Sequence, residues 1–443
     1  MCDKKYIIMF KGGVETLEYF SMEIARTFEE EGYVIYWYNL IYGQEAADEL
    51  VRFIDGIGTD SITGAFTFNF EGIAGEDGLY ADAASESVSA VEAVYGSVSY
   101  VKTAYNIWNR YGIHIYNMVV DHPFYYHKYI KFIPQNYTQI SIDRNHKKYL
   151  ERFFPEIETY FVPLAGTGLY DRHTFGVDRP LLSLEDRKID VIFTGNYTRP
   201  ETFDKYLAEM DEDYKKFYYS LVDEVYNNPD MLIEETLEKR LREELDEDFD
   251  DMQLRDCMPN LAFVDLSVRF LYRAEVIRQL ADSGIKVHIV GAGWDKLECK
   301  CPWNLYLYGM GDSQECLDKI AQSKISVNIM PWFKAGAHDR IFNSMLNGAV
   351  SVSDGSSYLN ETFDDGKDMI FYSLNNIAQV PEKIKELLSS PQRLKSIADN
   401  AYEKCINNHT WHYRAKKYLK LCKDNSIYII IRIVRYEADR ITY

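Results

Sequence analysis

At 443 residues the chain is about three times a usual domain length, so two domains and a sizeable core are expected. Hydrophobic residues make up 47% and charged residues 27%, a globular composition that excludes a disordered chain. Lys plus Arg number 49 against 69 Asp plus Glu, a net charge of −20. No basic patch of useful size interrupts that excess, so the expected partners include no nucleic acid and no anionic membrane surface.

The first 165 residues alternate strands and helices. Lys5–Phe10 reads as a short apolar strand, followed by Lys11-Gly12-Gly13 and a helix from about Glu15 to Glu30. Its apolar residues Leu17, Phe20, Ile24 and Phe28 recur at three- and four-residue spacing. Val34–Tyr38 is the second strand. A helix near 44–55, a strand at Ile62–Asn69, a helix near 88–111 and a strand at Ile113–Val120 continue the pattern. Thr138–Ile142, a short basic helix and Tyr160–Pro163 complete it. Such alternation predicts a parallel sheet covered on both faces.

Between 166 and 188 the periodicity lapses, which predicts a linker. A second alternating block covers 189–410 and opens on Ile189–Asn196. Strands at Lys286–Val290, Leu305–Tyr308, Ile325–Met330 and Ala349–Ser353 follow. The prediction is two doubly wound α/β domains facing across a cleft, with ligands outside the carboxyl ends of the strands. Residues 200–258 interrupt the second block with a helical period, and 201–256 hold 20 acidic and 7 basic residues. They read as a solvated insertion or as an acceptor-docking arm. Asp246-Glu247-Asp248 lies inside this helical run rather than after a strand, so it is not read as a metal-binding motif. Residues 411–443 form a final helix and tail, with Trp411 as its packing anchor and an apolar stretch at Ile427–Val434 too short to span a bilayer.

Seven scattered cysteines include one close pair, Cys299 and Cys301, without the partners zinc needs. With no leader and no run of eighteen apolar residues, the chain is expected to be cytoplasmic and reduced, with no transmembrane segment.

The densest motif is a strand, Ile325–Pro331, a loop, Trp332–Ala337, and a helix from His338 to Asn347, leading to Gly348-Ala349. A Gly-containing loop opening a helix offers backbone N–H groups and the positive dipole end to a diphosphate. Arg340 in the first turn opposes the dipole, which makes sense if an anion neutralises it. The alternative is a surface Arg paired to Asp339 or to the insertion. Gly195 and Asn196, and Gly291 and Gly293, close strands where either a phosphate or nucleoside approach or a plain turn would require glycine. Gly291-Ala292-Gly293 lacks the third glycine of a dinucleotide fingerprint, since position 296 is Lys. Asp121-His122-Pro123 ends an apolar strand, so Asp121 and His122 should point toward the cleft mouth and are candidates for a general base. Capping by Asp121 and packing by His122 are the plain alternatives.

His338, Arg340, Phe342, Asn343, Gly348 and Ala349 resemble the donor-binding motif of GT-B glycosyltransferases, most of all the CgeB-like spore-maturation group. Asp354, Leu359, Phe363–Lys367 and Ser390-Pro391 fit its continuation. The resemblance is good over 285–420 and weaker over 1–165. It implies two Rossmann-like domains and a hexose-type transfer from a nucleoside-diphosphate sugar, UDP favoured, to a protein or glycan acceptor, without metal or cofactor. It further implies an acceptor-side first domain, with Gly12 and Gly13 near the sugar phosphate. Tyr308 and Gly309 would lie at the base, His338, Asp339 and Arg340 at the diphosphate, and Asn343 at the ribose. Many retaining relatives carry two Glu residues around this loop; here Ala335 and Asn343 stand in those places, which leaves the stereochemistry open. A non-catalytic docking protein and a sugar-nucleotide epimerase of the same fold are the alternatives.

Overall fold

The computed structural model describes residues 5–80, 106–169, 181–245 and 248–423. Among these residues there are two six-stranded sheets. The first holds β1 (Lys5–Lys11), β2 (Tyr33–Asn39), β3 (Ile62–Phe68), β4 (Ile115–Val119), β5 (Tyr137–Ser141) and β6 (Glu158–Phe161) in the order β2-β1-β3-β4-β5-β6. The second holds β7 (Ile189–Thr194), β8 (Val287–Val290), β9 (Leu305–Gly309), β10 (Ser323–Asn328), β11 (Val350–Asp354) and β12 (Ile370–Tyr372) in the order β12-β11-β10-β7-β8-β9. All five pairings of the second sheet are parallel. Strand order reverses between β1 and β3 and again between β7 and β10, and crevices for ligands form outside the strand ends at such switch points.

Ile7, Ile8, Met9 and Phe10 are all buried, as a strand covered on both faces requires. In the helix Glu15–Glu30 the predicted stripe of Leu17, Phe20, Ile24 and Phe28 is the buried one. The expected helix near 88–111 is described only at Ile107–Tyr111; 81–105 lie outside the described residues, as does Ile427–Val434.

The chain divides into two compact units, 1–118 with 128–140 and 411–443, and 119–127 with 141–410. This departs from a boundary at 165. Asp143 accepts from Ala335 N and Asn145 N, both over 2.7 Å, and Arg144 pairs with Glu361, so the segment after β5 is tied into the second unit. Within the first unit, Trp411 packs against Phe20 in a tilted pair with ring centroids 4.6 Å apart, at the start of a helix over 411–423.

The expected linker is not a linker where it is described; 170–180 lie outside the described residues. Thr167 N donates to Asn343 Oδ1 and Leu169 N to Asn347 Oδ1, so Asn343 of the helix Asp339–Leu346 and its C-cap Asn347 hold 167–169 within the second unit. Buried Arg187 donates to Ser323 O and Asn347 O.

Between β7 and β8 the acidic stretch forms the helices Glu212–Asn227, Ile233–Leu245 and Asp251–Cys257, ahead of a long helix, Leu261–Asp282. Most of its charges are exposed, but Glu234 is buried, which a fully solvated insertion does not predict. Asp246 and Glu247 lie outside the described residues.

Candidate active site

The second unit's switch point places the loop after β7 beside the loop after β10. Gly195 N donates to Val290 O and Gly291 N to Gly309 O, so the loops after β7, β8 and β9 are pinned together. A Cβ on Gly291 would lie 2.1 Å from Gly195 O, and one on Gly293 2.1 Å from Tyr197 O. These two glycines are therefore required by close packing of neighbouring loops, the plain alternative. Gly195 differs: its Cβ would meet the Arg340 guanidinium at 3.1 Å. Asn196 accepts from Ala292 N through Oδ1 and from Arg273 Nη1 through its carbonyl, over 2.9 and 2.7 Å.

After β10 the chain enters the helix Asp339–Leu346 with His338 at its N-cap. The loop amides are less free than the motif suggests, because Ala335 N is taken by Asp143. A Cβ on Gly336 would meet Ile142 O at 2.5 Å, so these small residues serve close packing. His338 Nδ1 lies 2.8 Å from Asp339 Oδ1 and 3.4 Å from Arg340 N; the shorter contact directs Nδ1–H to the carboxylate. Burial and the neighbouring Arg340 push His338 down to about 4, so it is neutral at pH 7. Asn343 accepts from Thr167 N at Oδ1 and donates from Nδ2 to Asp339 Oδ2, so its amide already holds the 167–169 segment where a ribose contact was expected.

Arg340 brings the sharpest anomaly. Its Nη1 is buried and has no hydrogen-bond partner. Two further guanidinium groups, Arg269 and Arg273 of the Leu261–Asp282 helix, are close enough to act on it electrostatically. Arg269 donates to Asp265 over 2.9 Å and covers Trp332, 3.8 Å from the ring centroid. Asp265 also accepts from Tyr125 Oη over 2.6 Å. Arg273 is buried, its Nε is unpartnered, and burial with repulsion from Arg340 and Arg269 pulls its pKa well below the usual value. Cations that desolvate and repel one another are stable together when an anion joins them, and a diphosphate matches guanidinium geometry.

Asp121 and His122 follow β4. Asp121 is partly buried and accepts from Tyr126 Oη over 3.1 Å. His122 does not face solvent: it is 4% exposed and stacked on Phe124 at 4.0 Å. Its Nδ1 accepts from Phe124 N over 3.3 Å, which leaves the proton on Nε2. Burial pushes its pKa down to about 3. An imidazole protonated on its free nitrogen and this weakly basic cannot take an acceptor's proton, so the expected base role does not suit His122.

His122 instead walls a small cavity of about 30 Å³ with Asn145, His146, Glu234, Asp265, Trp332 and Lys334. His122 Nε2 lies 3.5 Å from Glu234 Oε2, too long for a hydrogen bond. His146 is 2% exposed, and neither ring nitrogen has a hydrogen-bond partner. Burial raises the Glu234 pKa and pushes His146 down to about 4. Lys334 Nζ donates to Pro229 O, tying the loop after β10 to the insertion.

In the first unit, Gly12 and Gly13 follow β1, but the amides there are occupied. Gly12 N donates to Glu18 and Val14 N to Glu71, each over 2.8 Å. Two carboxylates stand where a sugar phosphate was expected, and their sign repels one. At the edge of the second sheet, Tyr308 is exposed and its Oη lies 2.7 Å from His288 Nδ1, while Gly309 O accepts from Gly291 N. Neither touches the arginine cluster through a described hydrogen bond. Among the described residues no group of three or more His, Cys, Asp or Glu is placed to hold a metal ion, and no helix is long and apolar enough to cross a membrane.

Sequence reasoning missed Arg269, Arg273, Asp265, His146 and Glu234. The signal for the first three was present: Asp265, Arg269 and Arg273 recur every four residues and are the only charges in the largely apolar first part of the helix, Leu261–Ala274, so one charged stripe had to be buried. Glu234 was hidden among many acidic neighbours.

Residues 273–420 match a family described as glycosyl transferase-like. No curated protein matches the chain. Among solved structures, sucrose-phosphate synthase from Thermosynechococcus elongatus is similar at 7% identity, covering 96% of this chain and 100% of that one, with a TM-score of 0.53. A glycosyltransferase from Rickettsia africae is similar at 12% identity over 95% and 98%, with a TM-score of 0.47. Anabaena Alr3699/HepE in complex with UDP is similar at 9% identity over 95% and 100%, with a TM-score of 0.49. The fold is GT-B.

Proposed function

We propose that the chain is a glycosyltransferase that takes a nucleoside-diphosphate sugar and passes the sugar to a hydroxyl-bearing protein or glycan acceptor. The observation that carries this reading is the unpartnered, buried Arg340 Nη1 beside Gly195 and Arg273 at the switch point of the second sheet. Supporting it, the glycosyl transferase-like match begins at Arg273 and includes Arg340.

In the reaction the bond from the anomeric carbon to the phosphate oxygen breaks, and the electron pair leaves with the diphosphate. The acceptor oxygen bonds to that carbon and loses its proton. Arg340 and Arg273 would neutralise the charge growing on the leaving group, aided by the N-terminus of the Asp339–Leu346 helix. Because fixed guanidinium groups supply that charge, turnover is expected to be indifferent to EDTA. Of the pair after β4, Asp121 is the group suited to accept the proton. UDP is the first nucleotide to test, as a prior from the family resemblance rather than from any residue of the site.

The test is release of nucleoside diphosphate from a panel of UDP-, GDP-, TDP- and CDP-sugars. Arg340→Ala should lose that release, by about 100-fold or more, with the fold retained. Release unchanged in Arg340→Ala would overturn the assignment.

A further inference from the structure

The cavity lined by Glu234 and His146 is not needed to hold a diphosphate, yet it is adjacent to the groups that would. Two of its walls, Trp332 and Asp265, are the ones that touch Arg269, and Arg273 lies 5.7 Å from the Trp332 ring centroid. A sugar attached to a diphosphate on Arg340 and Arg273 must land beside that diphosphate.

The chemistry of the cavity selects among ligands. A cation is opposed by Lys334 in the wall and by Arg269 behind it, and an anion by Glu234 and Asp265. What the walls lack is a small neutral group that both donates and accepts. His146 offers two unpartnered ring nitrogens, His122 an unpartnered Nε2–H, and Glu234 a buried carboxylate 3.5 Å from it. A hydroxyl between these groups would satisfy several at once. About 30 Å³ suits one hydroxyl-bearing arm of a sugar, or a water. Val225, Ile233 and Val268 supply the apolar walls that sugar carbons need.

We infer that this cavity is a hydroxyl-reading subsite for the donor sugar, in which Glu234, carried by the acidic insertion, and His146 bind one hydroxyl arm and decide which sugar is accepted. The inference rests on the nucleotide-sugar reading above. It gives the insertion a part in donor specificity, through its first helical turn after the Pro229–Leu232 bend.

The test is calorimetric titration of the full chain with UDP, UDP-glucose, UDP-galactose and UDP-N-acetylglucosamine, and with GDP and GDP-mannose. In the wild type, one sugar nucleotide should bind about tenfold more tightly than its epimer or its bare diphosphate. Glu234→Gln and His146→Ala should each keep wild-type affinity for the bare diphosphate and lose most of that preference. Glu235→Gln, an exposed neighbour, should change nothing. A wild type that binds the diphosphate but shows no preference among sugars overturns the subsite, as does a preference retained in both variants; the cavity then holds a buried water only. If Glu234→Gln does not fold, His146→Ala decides alone. A wild type that binds none of these compounds overturns the nucleotide-sugar reading, and the subsite with it.

Discussion

The loop after β1 and the loop after β7 occupy the same place in two sheets of the same kind, and their chemistry is opposite. Each opens on glycine at a switch point, where fold geometry puts ligands. After β1, Glu18 and Glu71 occupy the amides of Gly12 and Val14, and a Cβ on Gly13 would lie 2.1 Å from Glu71 Oε1. After β7, the space a Cβ on Gly195 would take borders the Arg340 guanidinium. The lesson is that backbone topology says where a ligand can sit, while a few side chains from distant elements decide its charge.

The largest effect that would sharpen this contrast is replacement of Arg340 by an apolar chain of similar length. Arg340→Met removes a desolvated cation repelled by Arg273 and Arg269, so the ligand-free protein should be as stable or more stable, by up to about 3 kcal/mol. Its stabilisation by a nucleoside diphosphate should vanish. Chemical denaturation with and without ligand measures both; a ligand response equal to wild type would erase the distinction between the two loops.

Acid should separate the units next. His122 and His127 are held down to about 3, and His146 and His338 to about 4, all in the second unit and chiefly by burial. A histidine with a depressed folded pKa stabilises the fold above its unfolded value near 6.5 and loses that contribution as pH falls toward 4. For one histidine held at 4 the loss is roughly 3 kcal/mol, and coupled neighbours do not simply add. Asp354, raised to about 6, and Glu234, also raised, offset part of it, because both favour the protonated form. In the first unit burial raises Glu71 and Glu76, which gain stability as pH falls from their folded values toward 4.5. Hydrogen exchange, corrected for intrinsic rates, should show the second unit opening first between pH 6.5 and 4.5. Earlier opening of the first unit would contradict this.

Smaller effects follow at the glycines themselves. Gly195 has φ +142°, and Gly195→Ala would add a methyl 3.1 Å from Arg340, so affinity for the diphosphate should drop about tenfold and stability by about 1–2 kcal/mol. Titration calorimetry reads the first and thermal unfolding the second. In the other loop, Glu71→Gln keeps an acceptor for Val14 N and should leave nucleotide affinity unchanged within twofold, with a stability change under about 1 kcal/mol. A nucleotide affinity that responds to Glu71 would break the contrast from the first-unit side.

Much of this was legible in the residues. Strand–helix alternation and the stripe at Leu17, Phe20, Ile24 and Phe28 depend on local periodicity, and both sheets follow it. Arg340 stood out because a cation in a first helical turn opposes the dipole, a purely local conflict. What could not be read is what distant elements contribute. Asp143 takes the Ala335 amide from 192 positions away, and Asn343 holds Thr167 across 176. The sign of the Gly12–Gly13 loop is set by Glu71, 57 positions from Val14. Glu234 looks like any residue of an acidic helix until its turn is packed against His122. Spacing along the chain carries no record of such meetings.

The most direct measurement is the melting temperature of the wild-type chain with UDP, GDP, TDP and CDP, each against its bare nucleoside, with and without EDTA. Binding adds RT ln(1 + [L]/Kd) to stability. A formed diphosphate site should therefore raise the melting temperature by several degrees for one diphosphate, unchanged by EDTA, and far less for its nucleoside. A flat response to every diphosphate would mean that Arg340 and Arg273 do not form a diphosphate site.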